Sequence, residues 1–218
     1  MKACPDPLEE PPFAQCRRFL IRDVRPNELT LDVGCGSGEL MQELQRRGAR
    51  TIGVEIGAEL VAGCQERGLD VRWGRAEELP FEDATFDRIV CSVVMPYLDE
   101  RRAVAEWSRV LKPGGRVFAT YHGLGYALQC LASSRGLRRR IYGGRMVGNT
   151  LFYRVFRHRF PGFWGDTLCQ TSGSLRANYR RAGLQFVDAT TVTRFLGLPG
   201  FLAHHVLKPH FQEQELPP

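Results

Sequence analysis

The chain alternates between short apolar runs and segments whose apolar residues recur at helical spacing. The apolar runs, typical of strands buried in a sheet, lie at residues 29–33, 51–56, 70–73, 86–94 and 116–121. Between these runs lie segments at 39–47, 58–67 and 99–111. Their apolar residues stand three or four positions apart, as in amphipathic helices. This alternation predicts an α/β fold on a parallel sheet.

The last part of the chain predicts one more helix and two more strands. Residues 174–182 have a helical pattern, and residues 185–192 and 201–207 read as strands six and seven, joined by a loop at 193–200. The Leu-Pro-Gly turn at 198–200 predicts that these two strands pair antiparallel.

A glycine-rich segment follows the first strand. Gly34, Gly36 and Gly38 would let a ligand approach the main chain closely, and the following helix would present its N-terminus. Glu39 stands where a dinucleotide fingerprint has its third glycine, and no P-loop Gly-Lys-Ser/Thr follows. Glu55, about 20 residues further on at the end of the second strand, could accept hydrogen bonds from ribose hydroxyls. The pattern predicts a nucleoside site without a pyrophosphate; a turn that is merely glycine-rich is the alternative.

Four segments, in order, resemble motifs of the class I S-adenosylmethionine-dependent methyltransferases, close to the type 11 subgroup. They are Leu-Asp-Val-Gly-Cys-Gly-Ser-Gly at 31–38, Gly-Val-Glu-Ile at 53–56, Leu-Pro-Phe-Glu-Asp-Ala-Thr-Phe-Asp-Arg-Ile-Val at 79–90 and Arg-Val-Leu-Lys-Pro-Gly-Gly-Arg-Val at 109–117. The resemblance implies a Rossmann-like, doubly wound, seven-stranded sheet that is mostly parallel, with an antiparallel last strand and a helical cap inserted after strand five. It also implies S-adenosylmethionine as cofactor and S-adenosylhomocysteine as product.

The resemblance also assigns a cofactor site. Asp32 would anchor the ammonium group of the cofactor directly or through water, the glycines would admit its amino-acid end, and Glu55 would hold the ribose. The candidate cofactor-binding residues are Asp32, Gly34, Cys35, Gly36, Gly38, Glu55, Ile56, Arg75, Ala76, Glu77 and Cys91. At Cys91 the backbone would face the methionine part, and its thiol is expected to be buried and inert.

Arg75 departs from the family pattern, which has an acidic residue there that contacts the adenine amino group. An arginine cannot accept a hydrogen bond from that group, although it could stack on the purine ring. The backbone at Ala76 or the carboxylate of Glu77 could make the contact instead. Arg75 as a solvated surface charge is the further alternative.

Two residues at the end of strand five are candidates for catalysis. Tyr121 and His122 fall on the ligand side of such a sheet. A neutral imidazole at His122 could remove a proton from an acceptor hydroxyl, or it could orient the substrate or the loop. Tyr97, in the loop after strand four, could help to close the pocket or simply pack. The histidines show no spacing that indicates a metal site, so no metal is predicted.

The segment between strand five and the helix at 174–182 does not fit the sheet pattern. We predict a division into an N-terminal arm and helix at 1–24, a core with the cofactor half at 25–122, a substrate cap at 123–173, and the rest of the sheet with a tail at 174–218. The helix at 13–24 could lie over the cofactor or only cover the sheet. The cap would begin with a short helix at 124–131.

The cap carries eight arginines, including the run at 138–140, and Asp166 as its single carboxylate. It could cover a small substrate that carries negative charge, and we favour this role. It could instead lie on an anionic membrane and offer a lipid acceptor, or hold the phosphates of RNA or DNA.

Composition adds few constraints. The net charge of +6 permits an anionic partner. The seven cysteines form no C-x-x-C pair, which argues against a zinc site or a disulfide framework and indicates a reducing cytoplasm. The first residues lack an apolar signal core, and no run is long enough to span a bilayer.

We therefore predict a cytoplasmic methyltransferase that acts on an oxygen or nitrogen of a small metabolite. No Asn-Pro-Pro-Tyr segment, which would point to amide or exocyclic amine methylation, follows strand four. The alternatives are a methyltransferase that acts on RNA or a lipid through the basic cap, and a protein that binds S-adenosylmethionine without transferring its methyl group. The sequence gives no indication of oligomeric state.

Overall fold

The computed structural model describes residues 11–133, 136–156 and 167–210. The helices are α1 Pro11–Leu20, α2 Glu39–Arg46, α3 Ala58–Glu66, α4 Glu100–Val110, α5 Leu124–Leu131, α6 Leu137–Phe156 and α7 Ser172–Arg181. The strands are β1 Leu29–Val33, β2 Arg50–Glu55, β3 Val71–Trp73, β4 Phe86–Ser92, β5 Leu111–His122, β6 Gln185–Thr191, β7 Arg194–Phe195, β8 Leu198–Pro199 and β9 Phe201–Leu207.

Seven strands form one sheet in the order β3-β2-β1-β4-β5-β9-β6. The first five strands pair in parallel, whereas β9 is antiparallel to both β5 and β6. The predicted mostly parallel, seven-stranded fold with its antiparallel last strand is therefore confirmed. The strand order reverses between β1 and β4, and ligands of open α/β sheets bind beyond the carboxyl ends of the strands at such a point.

Two local features differ from the sequence prediction. The predicted loop at 193–200 contains the hairpin β7–β8, whose turn places Leu196 and Gly197 at φ 49° and 75°. A leucine at positive φ is unusual in such a turn, so Leu196 and Gly197 are not a sequence signal for a hairpin. Strand β5 begins at Leu111 and not at 116 as predicted, and residues 112–115 form a bulge in it opposite a single residue of β4.

Helices cover both faces of the sheet because each strand buries alternate side chains on each side. On one face, Phe19 of α1 and Leu44 of α2 pack in a cluster with Phe118 of β5. On the other face, Trp107 of α4 and Tyr179 of α7 lie in a larger cluster. Both side chains are completely buried.

A buried charged cluster fixes α1 on the sheet. The guanidinium of Arg88 donates to the backbone oxygens of Leu20 and Arg22 at 2.5 and 2.8 Å, which satisfies carbonyls at the end of α1. Arg116 donates to Glu28 at 2.7 Å in the same cluster. Helix α1 packs against β4, β5 and β9, so it covers the sheet, as one of the two predicted alternatives proposes.

The segment after β5 contains two helices that pack on each other. The predicted helix at 124–131 is confirmed as α5. The 20-residue helix α6 was not predicted as one element. Gly143 allows the close contact, since a Cβ there would lie 2.5 Å from the backbone oxygen of Ala127. Residues 134–135 and 157–166 of the predicted cap, the first ten residues of the arm and the end of the tail at 211–218 lie outside the described residues.

None of the helices in the described part of the chain has the length and apolar character needed to cross a membrane. The six cysteines in this part of the chain are buried and free of disulfide bonds. The division into arm, core, cap and remainder stays a prediction.

Candidate active site

The glycine loop connects β1 to α2 at the carboxyl edge of the sheet. Gly34, Gly36 and Gly38 have φ values of 71°, 54° and 75°, in the left-handed region that favours glycine. A Cβ at Gly34 would lie 2.5 Å from Cγ2 of Val94, whereas a Cβ at Gly36 would meet no described atom within 4 Å. The middle of the loop therefore faces open space, and a ligand could approach the main chain there.

Glu55 links the end of β2 to this loop. Its Oε2 accepts a hydrogen bond from Gly36 N at 3.0 Å, and its Oε1 accepts from Ile56 N and Gly57 N at 2.9 Å each. A carboxylate has about four acceptor positions. Glu55 thus has roughly one position left for a ribose hydroxyl, and holding both hydroxyls would require it to release a backbone N–H.

Asp32, at the end of β1, is a buried carboxyl group without a hydrogen-bond partner among the described residues. It is 1% exposed, and neither of its oxygens is paired. Burial, followed by the charge of Glu55, raises the pKa of Asp32 to about 7, against a smaller opposing effect of Arg17. A buried, unpaired carboxylate is costly, and a cation placed next to it would relieve that cost. Asp32 therefore fits the ammonium group that the family resemblance assigns to it.

The predicted adenine contacts in the segment after β3 differ in their exposure to solvent. The Arg75 side chain is 59% exposed, with its Nε 3.6 Å from Oε2 of Glu77. The Glu77 side chain is only 8% exposed, and its Oε1 accepts from Asp99 N at 3.1 Å. Arg75 thus lies at the surface as a solvated charge. Glu77 is hydrogen-bonded to the residue that precedes α4, and Ala76 is buried.

A pair of exposed apolar side chains lies next to Glu55. Ile56 is 55% exposed, and Trp73 is 63% exposed with its indole N–H donating to the Ile56 oxygen at 3.0 Å. Sequence reasoning missed Trp73, because alternation along β3 puts it on the same face as the buried Val71 and so gave no sign of an exposed indole. Together the two side chains offer an apolar surface suited to the flat ring of a nucleobase.

The two candidate cysteines have their backbone at the edge of the site, whereas their thiols are buried in the core. Cys91 is completely buried, and burial raises the pKa of its thiol to about 12. Cys35 is 8% exposed, and burial with the nearby charge of Asp32 raises the pKa of its thiol as well. Both are protonated at neutral pH, which agrees with the expected inert thiol at Cys91.

His122 lies among aromatic rings at the end of β5. Its ring stacks on Tyr126 at 4.1 Å between centroids and meets the edge of Phe201 at 4.9 Å. It is 5% exposed, and neither ring nitrogen has a partner in the described part of the chain. Burial lowers the pKa of His122 to about 3, so the ring is neutral and weakly basic at pH 7. The base role of His122 stays a prediction, and this low pKa argues against it.

Tyr121 points to the opposite face of the sheet from His122. Its hydroxyl is buried and forms hydrogen bonds with His204 and with Ser172 Oγ, the latter at 3.2 Å. Ser172 Oγ lies 3.0 Å from Nε2 of the same histidine. This network joins β5, β9 and α7, which is a structural role. Nothing in the placement of Tyr121 supports its predicted part in catalysis.

The loop after β4 connects the glycine loop to the cap helices. Val93 adopts φ 59°, a strained value for a β-branched residue, and strain of this kind clusters at functional sites. The next residue, Val94, places its side chain against Gly34. The hydroxyls of Tyr97 and Tyr142 lie 3.0 Å apart, which joins this loop to α6. This contact is consistent with the predicted role of Tyr97 in closing a pocket.

Comparisons with known proteins agree with this geometry. A family model described as a methyltransferase domain matches residues 31–119. A demethylmenaquinone methyltransferase of Thermobifida fusca is 39% identical over 103 residues, 44% of this chain and 44% of that protein. A probable tRNA methyltransferase 9B of Mus musculus is 32% identical over 114 residues, 50% of this chain and 25% of that protein. The chain thus covers less than half the length of these two relatives.

The fold resemblance extends further along the chain than the sequence resemblance. A putative methyltransferase of Haloferax volcanii, solved in complex with the Trm112 methyltransferase activator, superposes with a TM-score of 0.67 at 16% identity. The superposition covers 93% of this chain and 91% of that one. The glycine loop, Glu55 and the unpaired Asp32 all fall within the matched segment, at the carboxyl edge of a sheet with the matching fold. Residues 31–119 therefore match the model of a methyltransferase-domain family, and the chain as a whole has the fold of solved S-adenosylmethionine-dependent methyltransferases.

Proposed function

We propose that the protein binds S-adenosylmethionine at the glycine loop and transfers its methyl group to an oxygen or nitrogen of a small-molecule acceptor. The observation that carries this proposal is the pair of buried, unpaired Asp32 oxygens next to a loop that is open at Gly36. A cofactor that places an ammonium group next to Asp32 would offset the free-energy cost of its buried, unpaired carboxylate.

Different residues at this edge of the sheet would bind different parts of the cofactor. Asp32 would hold the ammonium group, the main chain at Gly36 would lie along the amino-acid part, and Glu55 would accept from the ribose. Ile56 and Trp73 would flank the base. When bound, the cofactor supplies a methyl group that is already electrophilic because it is attached to a sulfonium. The task of the chain is then to align the acceptor with that methyl group and to exclude water.

We place the acceptor beyond the end of β5, where the side chains are aromatic rings rather than acids and bases. His122, Tyr126 and Phe201 form a buried cluster after β5, and Phe13 of α1 meets the edge of Phe201 with ring centroids 4.9 Å apart. Apolar walls of this kind suit a small, largely apolar acceptor. The chain therefore acts by proximity, and we assign no general base.

Three further candidate functions share the cofactor site. The resemblance to a probable tRNA methyltransferase and the arginines of the cap support an RNA acceptor, and the apolar walls are compatible with a lipid acceptor. A protein that binds the cofactor without transferring a methyl group would keep Asp32 and Glu55 but give no product. Binding and turnover must therefore be measured separately.

Binding is tested by calorimetry with S-adenosylmethionine and S-adenosylhomocysteine. We expect Glu55→Ala to weaken the affinity at least tenfold, since it removes the ribose acceptor and leaves the N–H groups of Gly36, Ile56 and Gly57 unpaired. Glu55→Gln, which keeps one acceptor oxygen, should retain more of the affinity. Glu66→Ala, on the exposed end of α3, is the control. Unchanged affinity in a folded Glu55→Ala variant would remove the assigned role of Glu55.

Turnover is tested by transfer of a labelled methyl group into host extract separated into small-molecule, lipid, RNA and protein fractions. Label in the small-molecule fraction would support the proposal. Label confined to lipid or RNA would replace the acceptor class. Tight cofactor binding with no label in any fraction, and no S-adenosylhomocysteine formed when extract is added, would favour the non-transferring protein.

A further inference from the structure

The solvent face of helix α6 is apolar, whereas a surface helix ordinarily turns polar residues to water. At ~100° per residue, Leu137, Ile141, Leu151 and Val155 lie within about 40° of one line along the helix. Their exposed fractions are 71%, 47%, 59% and 71%. These four residues are called the outer stripe. The opposite side of α6, including Met146, is buried, so the helix is apolar both towards the protein and towards solvent.

Arginines border the outer stripe on both sides. Arg138 falls about 100° to one side of it and Arg140 and Arg154 about 60–100° to the other, by the same helical geometry, and all three are exposed. The helix contains no aspartate or glutamate. Its outer half is therefore an apolar centre between two cationic margins.

The charge and shape of this surface favour one kind of occupant. Helices that lie in the plane of a membrane surface combine an apolar stripe with flanking Lys and Arg, which contact anionic headgroups. An RNA would contact the arginines and could stack a base on the exposed ring of Phe156 at one margin. It would leave the four aliphatic side chains of the outer stripe in water, because Leu, Ile and Val offer no flat ring on which a base can stack. A second copy of the chain would bring two sets of arginines together, which is unfavourable.

We propose that α6 is an interfacial helix that docks the protein on an anionic lipid bilayer. The outer stripe enters the boundary between headgroups and acyl chains, and the flanking arginines bind lipid phosphates. The inference goes beyond the proposed methyl transfer and does not depend on it.

The docking surface is close to the acceptor side of the candidate site. Tyr142 of α6 lies 3.0 Å, hydroxyl to hydroxyl, from Tyr97 in the loop after β4. The bilayer and that loop would thus be separated by about one helix diameter, roughly 10–12 Å. A docked molecule would hold its acceptor side next to the membrane surface.

Vesicle flotation of the full chain tests the proposal without any methyl-transfer assay. We expect binding to vesicles of phosphatidylcholine mixed with phosphatidylglycerol, and at least tenfold weaker binding to phosphatidylcholine alone. Arg138→Glu with Arg140→Glu should lower the affinity for the mixed vesicles at least tenfold. The matched control is Arg101→Glu with Arg102→Glu, which makes the same charge change on two exposed residues of α4 and should retain more than half of the binding.

The apolar contribution is tested separately. Val155→Ser should weaken binding to the mixed vesicles at least threefold, whereas Val187→Ser, at an exposed valine of β6, should not. Thermal unfolding of each variant shows whether it is folded, and these exposed positions are chosen so that folding is retained.

Three results would overturn the proposal. The first is a wild-type protein that does not bind the mixed vesicles. The second is binding of transfer RNA that is lost in the Arg138/Arg140 variant and unchanged in Val155→Ser, which would assign the surface to RNA. The third is a concentration-dependent dimer that Val155→Ser dissociates, which would assign the outer stripe to a second copy. Each outcome leaves cofactor binding and turnover to be measured independently.

Discussion

The unpaired carboxyl group of Asp32 predicts that the protein without cofactor loses stability as the pH rises. In the unfolded chain this group ionises near pH 3.9, and in the folded chain its pKa is about 7. Between these values the folded state holds a proton that the unfolded state has released. The free energy of unfolding therefore falls with rising pH through this window and stays low above pH 7.

The size of the effect follows from the shift. Each pKa unit corresponds to 1.36 kcal/mol, so a shift of about three units gives a loss of at most about 4 kcal/mol between pH 4 and pH 7. Asp32→Asn removes this ionisation. We expect the variant to be more stable than the wild type at pH 8 by up to that amount, less the cost of a buried amide, which is about 1–3 kcal/mol and independent of pH.

Urea unfolding followed by tryptophan fluorescence, at several pH values between 4.5 and 8 and without cofactor, measures this difference. Asp70→Asn, at an exposed position before β3, is the control and should follow the wild type. Calorimetry should show the opposite order for function, with S-adenosylmethionine bound more weakly by Asp32→Asn. Parallel stability profiles for wild type and Asp32→Asn across this range would refute the reasoning.

Two further outcomes follow from the site. Gly34→Ala should destabilise the protein more than Gly36→Ala, because the new Cβ at position 34 would lie 2.5 Å from Val94. Both variants share a backbone penalty of ~1–2 kcal/mol for the positive φ. Thermal unfolding measures the difference, and equal losses of stability would contradict the prediction. Gly36→Ala should nevertheless bind the cofactor at least tenfold more weakly in calorimetry. His122→Phe should keep more than a tenth of the turnover, with an unchanged pH profile between 6 and 8, because the low pKa of His122 makes it a poor base. A hundredfold loss with intact cofactor affinity would instead establish His122 as the base.

The positions of the sheet strands along the chain could be predicted because each buried run and each helical repeat is a local pattern. Helix α6 was harder, since Gly143, Gly144 and Gly148 lower its helix propensity and three consecutive arginines read as a surface segment. Its helical state depends on packing against α5, which a single-sequence pattern does not contain. The early start of β5 was missed for a similar reason, because the proline and glycines at 113–115 are typical of turns whether or not a strand runs through them.

The candidate site shows the same limit at the level of contacts. Sequence spacing placed Asp32 and Glu55 at the ends of neighbouring strands, and the structure has them there. Spacing could not show that Glu55 already accepts from three backbone N–H groups while Asp32 accepts from none. Nor could spacing show which neighbours Tyr121 and His122, whose side chains point to opposite faces of the sheet, would contact. Such differences arise from three-dimensional neighbours, so hydrogen-bond satisfaction and pKa are visible only in the fold.

The position of β9 has a consequence for how the chain reaches its native state. This strand lies between β5 and β6 but is synthesised after both. Until it emerges from the ribosome, β5 has an open edge and β6 has no partner in the sheet, and open edges invite pairing with other chains. Insertion of β9 is thus a late step that joins distant parts of the sequence. A chaperone that shields β5 during translation would be expected to raise the yield of folded protein.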